Sequence, residues 1–156
     1  MSMVKNNIRT IDLQLISFFS KSFLPIARFS LFLIFFWFGL IKLLGLSPAG
    51  PFAHALVNQT VGPLYFELLF TILATLEIAI GLLFLFPKAT RIVVPLLLVH
   101  MMIVCSPLFL LPDYTWQSFL LPTLEGQYII KNTVVIAVAI GIAASAQPLS
   151  RKTNHQ

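Results

Sequence analysis

Arg28–Pro48 reads RFSLFLIFFWFGLIKLLGLSP, an apolar and aromatic run interrupted by a single lysine, Lys42. A stretch of this kind supplies the ~20 residues that a helix needs to cross ~30 Å of hydrocarbon. Lys42 breaks the pattern. An ionisable residue at bilayer depth costs about 2.5–3.5 kcal/mol on insertion scales and marks a functional site by default. It lies four residues before Leu46, so at 1.5 Å rise per residue it sits about 6 Å from the expected helix end. Snorkelling towards the headgroups is then expected to lower the cost.

The composition agrees with a membrane location. Of 156 residues, 58% are hydrophobic and only 10% are charged, and the mean hydropathy is +0.95, which lies outside the range of soluble domains. The net charge of +5 resides on basic residues that flank hydrophobic runs, where they set topology and meet anionic lipid, so no nucleic-acid role is assigned. One cysteine, Cys105, excludes an intrachain disulfide, a CxxC pair and a thiolate metal cluster within the chain. The first apolar run is too long for a signal peptide and lacks a small-residue cleavage site after it.

Four segments reach spanning length, at about 25–46, 64–86, 92–111 and 127–146, and predict an all-α integral membrane four-helix bundle. Residues 1–24 place Ile8, Ile11, Leu15, Phe18 and Phe19 against Lys5, Arg9, Asp12 and Gln14. This predicts an interfacial amphipathic helix on the cytoplasmic side, or else a partly ordered basic tail. Pro25 is expected to open the first spanning helix. Lysine and arginine are absent from 47–63 and 112–126 but present before the first helix, between the second and third, and in the tail 147–156. By the positive-inside rule both termini are cytoplasmic and those two loops face outward. In the first loop Pro51–Thr60 predicts a short interfacial or re-entrant helix. In the second, Asp113 is a candidate N-cap and Tyr114, Trp116 and Phe119 suit an aromatic belt.

Counting from the expected helix ends puts Lys42, Glu67 and Lys131 at one outer level, with Glu125 just outside. Glu67 or Glu125 is the expected partner of Lys42, since buried charges require neutralisation. Glu77 and His100 fall at a matching deeper level, where a hydrogen bond between them is expected. They are the buried proton-handling candidates, histidine being the side chain suited to proton exchange at physiological pH. A polar core that merely fixes helix register is the competing reading. His54, His100 and His155 lie in different parts of the chain without ligand spacing, so no metal site is assigned.

Several short motifs carry a resemblance. FFWFGLIKLLGLSP (35–48), FAHALVNQ (52–59), LEIAIGLLFLFP (76–87), SPLFLLPDYTWQSF (106–119) and PTLEGQYIIKN (122–132) together resemble the DoxX-like small membrane proteins, in the branch related to the reactive-chlorine-resistance inner membrane protein. The matching pattern is Trp37, Gly39 and Lys42 in the first helix, Glu77 and Gly81 in the second, and Gly126 and Lys131 at the opening of the fourth. The resemblance implies a multipass protein of a bacterial inner membrane. It further implies a link to oxidative-stress defence or quinone-coupled redox chemistry, with oxidoreductase or detoxifying proteins as partners.

Three functions follow from these readings. The first is a membrane subunit that binds a quinone or another apolar ligand between the outer helix ends. Lys42, Glu67 and Lys131 would polarise its oxygens, and Phe35, Phe36, Trp37 and Phe38 would wall it. The second is a non-catalytic scaffold that recruits partner proteins. The third is a small proton-linked transporter or channel using Glu77 and His100, which with four helices would work as a homo-oligomer. The chain has no redox-cofactor motif of its own, and the sequence leaves catalysis unassigned.

Overall fold

A computed structural model describes residues 2–146, with side chains from Arg9 onward; the expected cytoplasmic tail 147–156 lies outside the described residues. The chain runs α1 (Ser2–Leu43), α2 (Gly50–Thr60), α3 (Phe66–Phe84), α4 (Thr90–Cys105), α5 (Pro107–Leu110), α6 (Pro112–Thr115), a hairpin of β1 (Trp116–Ser118) and β2 (Leu121–Pro122), and α7 (Leu124–Ala144). Single 3-10 turns at Pro63–Tyr65 and Pro87–Ala89 lead into α3 and α4. Four stretches are long and apolar enough to cross a membrane: Arg9–Leu43, Pro63–Phe84, Pro87–Leu110 and Leu124–Ala144.

The interior joins α1, α3, α4 and α7 through Leu31, Phe35, Ile80, Phe84, Val93, Leu97 and Ile142, all buried. The outward faces are apolar as well: Trp37, Leu68, Ile92, Met102 and Val134 are each more than half exposed. Aqueous surfaces rarely carry so continuous an apolar face, which suits helices whose solvent is hydrocarbon.

Two glycines set the contact between α1 and α3. A Cβ added at Gly39 would lie 2.7 Å from the Ala74 carbonyl oxygen and 2.9 Å from the Ile78 nitrogen, and one at Gly81 would lie 2.6 Å from the Phe36 nitrogen. The antiparallel backbones therefore touch where small residues permit it, a form of contact also used by close-packed membrane helices. A third glycine, Gly126, allows α7 to start beneath α6, for its added Cβ would meet the Thr115 carbonyl oxygen at 2.1 Å.

Several expectations change. Pro25 does not separate an interfacial helix from a spanning one: α1 continues through it. The missing N–H removes one backbone bond, while burial of Ala27 and Leu31 and the approach of the Phe23 ring to Gly141 hold the helix on α7 across that turn. N-terminal to Phe23, Ile11, Leu13, Leu15, Ile16, Phe18 and Phe19 are all at least half exposed, so this part of α1 leaves the bundle. At its other end α1 stops earlier than Leu46. Gly45, at φ +68°, donates to the Lys42 carbonyl, and Leu46 donates to that of Ile41. These two bonds form a Schellman cap.

The loops after α1 and α4 are more built than the sequence suggested. The expected helix at Pro51–Thr60 is present as α2, with its proline in the first turn. Asp113 lies in the first turn of α6 and caps nothing with its side chain. The capping residue is instead Thr123, whose hydroxyl accepts from the Gly126 N–H at 3.1 Å and donates to the Tyr114 carbonyl at 2.7 Å. The β-hairpin was not anticipated in an all-α chain. Its anchor is Trp116, whose indole Nε1 donates to the Leu108 carbonyl at 3.0 Å.

Candidate functional site

The glycine contact brings Lys42 of α1 to Glu77 of α3. Side chains tilt towards the N-terminus of their own helix, so Lys42, near the end of α1, leans back into the bundle and does not extend past the helix end as the expected snorkelling required. Its ammonium donates to Glu77 Oε2, and the side chains of the pair are only 11% and 7% exposed. Glu77 is thus the partner of Lys42, in place of the expected Glu67 or Glu125. Both of those carboxylates are exposed, at the starts of α3 and α7.

His100 of α4 completes the group. Its Nε2 lies 3.5 Å from Glu77 Oε1, and its side chain is fully buried. The expected Glu77–His100 hydrogen bond is not made, because both ring nitrogens lack a hydrogen-bonding partner among the described residues. The ring is held edge-on to Phe35, with centroids 5.7 Å apart. Buried polar groups are ordinarily satisfied, and each one left over costs about 1–3 kcal/mol. His100 is therefore the group whose placement packing explains least.

A cavity of about 460 Å³ opens beside this cluster, lined by Lys42, His54, Phe66, Glu67 and Phe70 among others. Lys42 consequently has two neighbours, the cavity on one side and Glu77 on the other. From α2, His54 packs on the Phe66 ring at 4.7 Å between centroids, and its Nδ1 lies 3.1 Å from the Asn58 amide nitrogen. His54 was not singled out from the sequence as a lining residue. The proline-started helix around it was the available signal.

The remaining candidates separate. Glu67 lines the cavity. Lys131 lies over the Tyr128 ring, 4.8 Å from its centroid, on an exposed face of α7. Among the described residues neither Lys131 nor Glu125 joins Lys42 in an ion pair. Trp37 and Phe38 are more than half exposed and point away, Phe35 is in the core, and Phe36 stacks on Phe32. The expected aromatic wall is therefore divided among three directions. Gly39 contributes backbone proximity, as described above. The chain matches no protein-family model, no curated protein and no solved structure.

Proposed function

We propose that this chain is a multipass membrane protein that binds an apolar, oxygen-bearing ligand of the quinone class in the cavity beside Lys42. Lys42 would donate a hydrogen bond to a ligand oxygen, and Glu77 and His100 would hold or pass a proton behind it. Reduction of a quinone to a quinol takes up two electrons and two protons. In this proposal the electrons come from an oxidoreductase partner, since the chain carries no redox motif. One observation carries the reading: Lys42 forms part of the cavity wall while its ammonium is held by a carboxylate that also faces a buried, unsatisfied histidine. Charge neutralisation alone requires the lysine and the glutamate but not the histidine.

The DoxX-like resemblance supports the same class of chemistry and a role in oxidative-stress defence at a bacterial inner membrane. In that setting the end carrying Arg28, Lys88 and Arg91 is cytoplasmic by the positive-inside rule, and the cavity opens towards the other face. The test is purification in mild detergent, with extraction of bound quinone and titration with a quinone analogue. Binding should survive Lys131→Gln and fall with Lys42→Met. Absence of quinone together with no analogue binding would sink the proposal.

A scaffold is the second reading, favoured by the complete Lys42–Glu77 pair, which by itself could fix helix register. It predicts that Lys42→Met and Glu77→Gln alter only the abundance of the protein. A proton-linked transporter predicts flux in proteoliposomes that Glu77→Gln abolishes.

A further inference from the structure

The hairpin between α6 and α7 carries the most exposed large apolar side chain among the described residues. β1 and β2 pair Trp116 with Pro122 and Ser118 with Leu121, which leaves Phe119 and Leu120 as the two turn residues. Phe119 is 92% exposed, Leu120 73% and Leu121 52%. Leu120 also adopts φ +59°, a left-handed conformation that turns ordinarily give to glycine or asparagine. A short turn thus holds large apolar side chains away from the protein on a backbone ill suited to leucine. Asp113 is the only charged residue from Pro107 to Leu124, so the patch has no charged rim of the kind that borders a protein-docking surface.

Both ends of the hairpin are tied down. Trp116 Nε1 donates to the Leu108 carbonyl at 3.0 Å, and Leu108 belongs to the apolar stretch Pro87–Leu110. The Thr123 N–H donates to the Thr115 carbonyl at 3.0 Å. At about 3.3 Å per residue, the tip lies at most about 10 Å from Trp116. The headgroup layer adds roughly 5–8 Å on each side of the hydrocarbon, so a hairpin this short stays near the membrane surface whichever way it points. Its depth is limited as well. Hydrocarbon does not tolerate an open strand edge, which keeps the backbone at headgroup level and leaves the Phe119 and Leu120 side chains to reach the acyl boundary. Phe109 and Leu124, which flank the hairpin in the chain, are exposed too and lie at the ends of two stretches long and apolar enough to cross a membrane. The apolar surface of those stretches therefore runs on into the tip.

We propose that the hairpin is an interfacial anchor whose tip, Phe119 to Leu121, is seated among lipid acyl chains at the membrane surface where α4 ends and α7 begins. The proposal rests on the membrane-spanning reading of the four helices and needs no ligand at Lys42.

The test places a nitroxide on Phe119→Cys and Leu120→Cys, each in a Cys105→Ala background, with the full chain reconstituted in phosphatidylcholine–phosphatidylglycerol vesicles. Power saturation then compares collisions with oxygen, which concentrates in hydrocarbon, and with a water-soluble nickel chelate. Val134→Cys, at the midpoint of α7 and exposed, is the hydrocarbon reference. Labels at 119 and 120 should show the oxygen collisions of the label at 134 and lose most of the nickel collisions that the same nitroxide makes on free cysteine in buffer. Nickel collisions at 119 and 120 but not at 134 overturn the anchor and leave the spanning helices in place, whereas nickel collisions at all three overturn both. Low collisions with either reagent at the tip also overturn it: with spin–spin broadening they assign the tip to a second copy of the chain, and without it to another protein surface. The exposure of Phe119 means that its replacement removes no core contact.

Discussion

Neutralising Glu77 should destabilise the bundle more than neutralising Lys42, although the two form one ion pair. Glu77→Gln leaves the Lys42 ammonium, only 11% exposed, without an anion, and truncating one member of a buried pair costs about 3–5 kcal/mol. Lys42→Met leaves the carboxylate beside His100 Nε2 at 3.5 Å. An N–H at Nε2 can then donate to the freed carboxylate, which limits the loss to the range of a buried group left unsatisfied, about 1–3 kcal/mol. Lys42→Met/Glu77→Leu removes both desolvation costs, and exchange of a buried pair for apolar residues is often neutral or stabilising by about 1–4 kcal/mol. The single variants thus sum to roughly 4–8 kcal/mol of loss while the double variant sits near wild type, a coupling of about 4 kcal/mol or more. Reversible unfolding in mixed detergent micelles, followed by tryptophan fluorescence, measures all four corners of the cycle. Both single variants falling within about 1 kcal/mol of wild type would refute the reasoning, as would a double variant equal to their sum.

Gly81→Ala forces a methyl to 2.6 Å from the Phe36 nitrogen and should cost about 1–3 kcal/mol as overpacking. The same unfolding assay reads it, together with weaker protection of α1 in hydrogen exchange. Thr123→Ala removes the cap of α7 and should cost about 1 kcal/mol, with Thr123→Ser recovering most of it. Gly126→Ala should lift α6 and the hairpin from α7, which limited proteolysis between Trp116 and Pro122 would detect. His100→Phe should keep or raise stability, because it replaces an unsatisfied buried ring with an apolar one at a saving of up to about 1–3 kcal/mol, while abolishing any proton-linked activity. A loss of both stability and activity would mean that the imidazole has a structural partner.

The four helices long and apolar enough to cross a membrane were legible because length and apolarity are properties of sequence alone, and the proline-started α2 was legible from its boundaries. The pairing of Lys42 was not. Counting depth from an assumed end at Leu46 put it beside Glu67, whereas the close contact of Gly39 with Ala74 and Ile78 and the inward tilt of the side chain carry the ammonium to Glu77. Proximity of Glu77 and His100 followed from their equal distances to a short turn, but ring orientation, which decides whether they bond, is set by tertiary packing on Phe35. The run from Phe35 to Phe38 reads as one aromatic wall in a line of text, yet consecutive helical residues point some 100° apart, since about 3.6 residues complete a turn. The hairpin escaped notice because its strands are too short to show a period.

The span of 35 residues that separates Lys42 from Glu77 is also an interval of time. At about 5–20 residues per second of synthesis, the ribosome reaches Glu77 roughly 2–7 s after Lys42. In the membrane-spanning reading proposed above, α1 meets the bilayer with its lysine still uncompensated, and the arrival of α3 supplies the counter-charge. In that reading the glycines at 39 and 81, which let α3 dock on α1 as an antiparallel pair, are also what brings the counter-charge within reach of the waiting lysine.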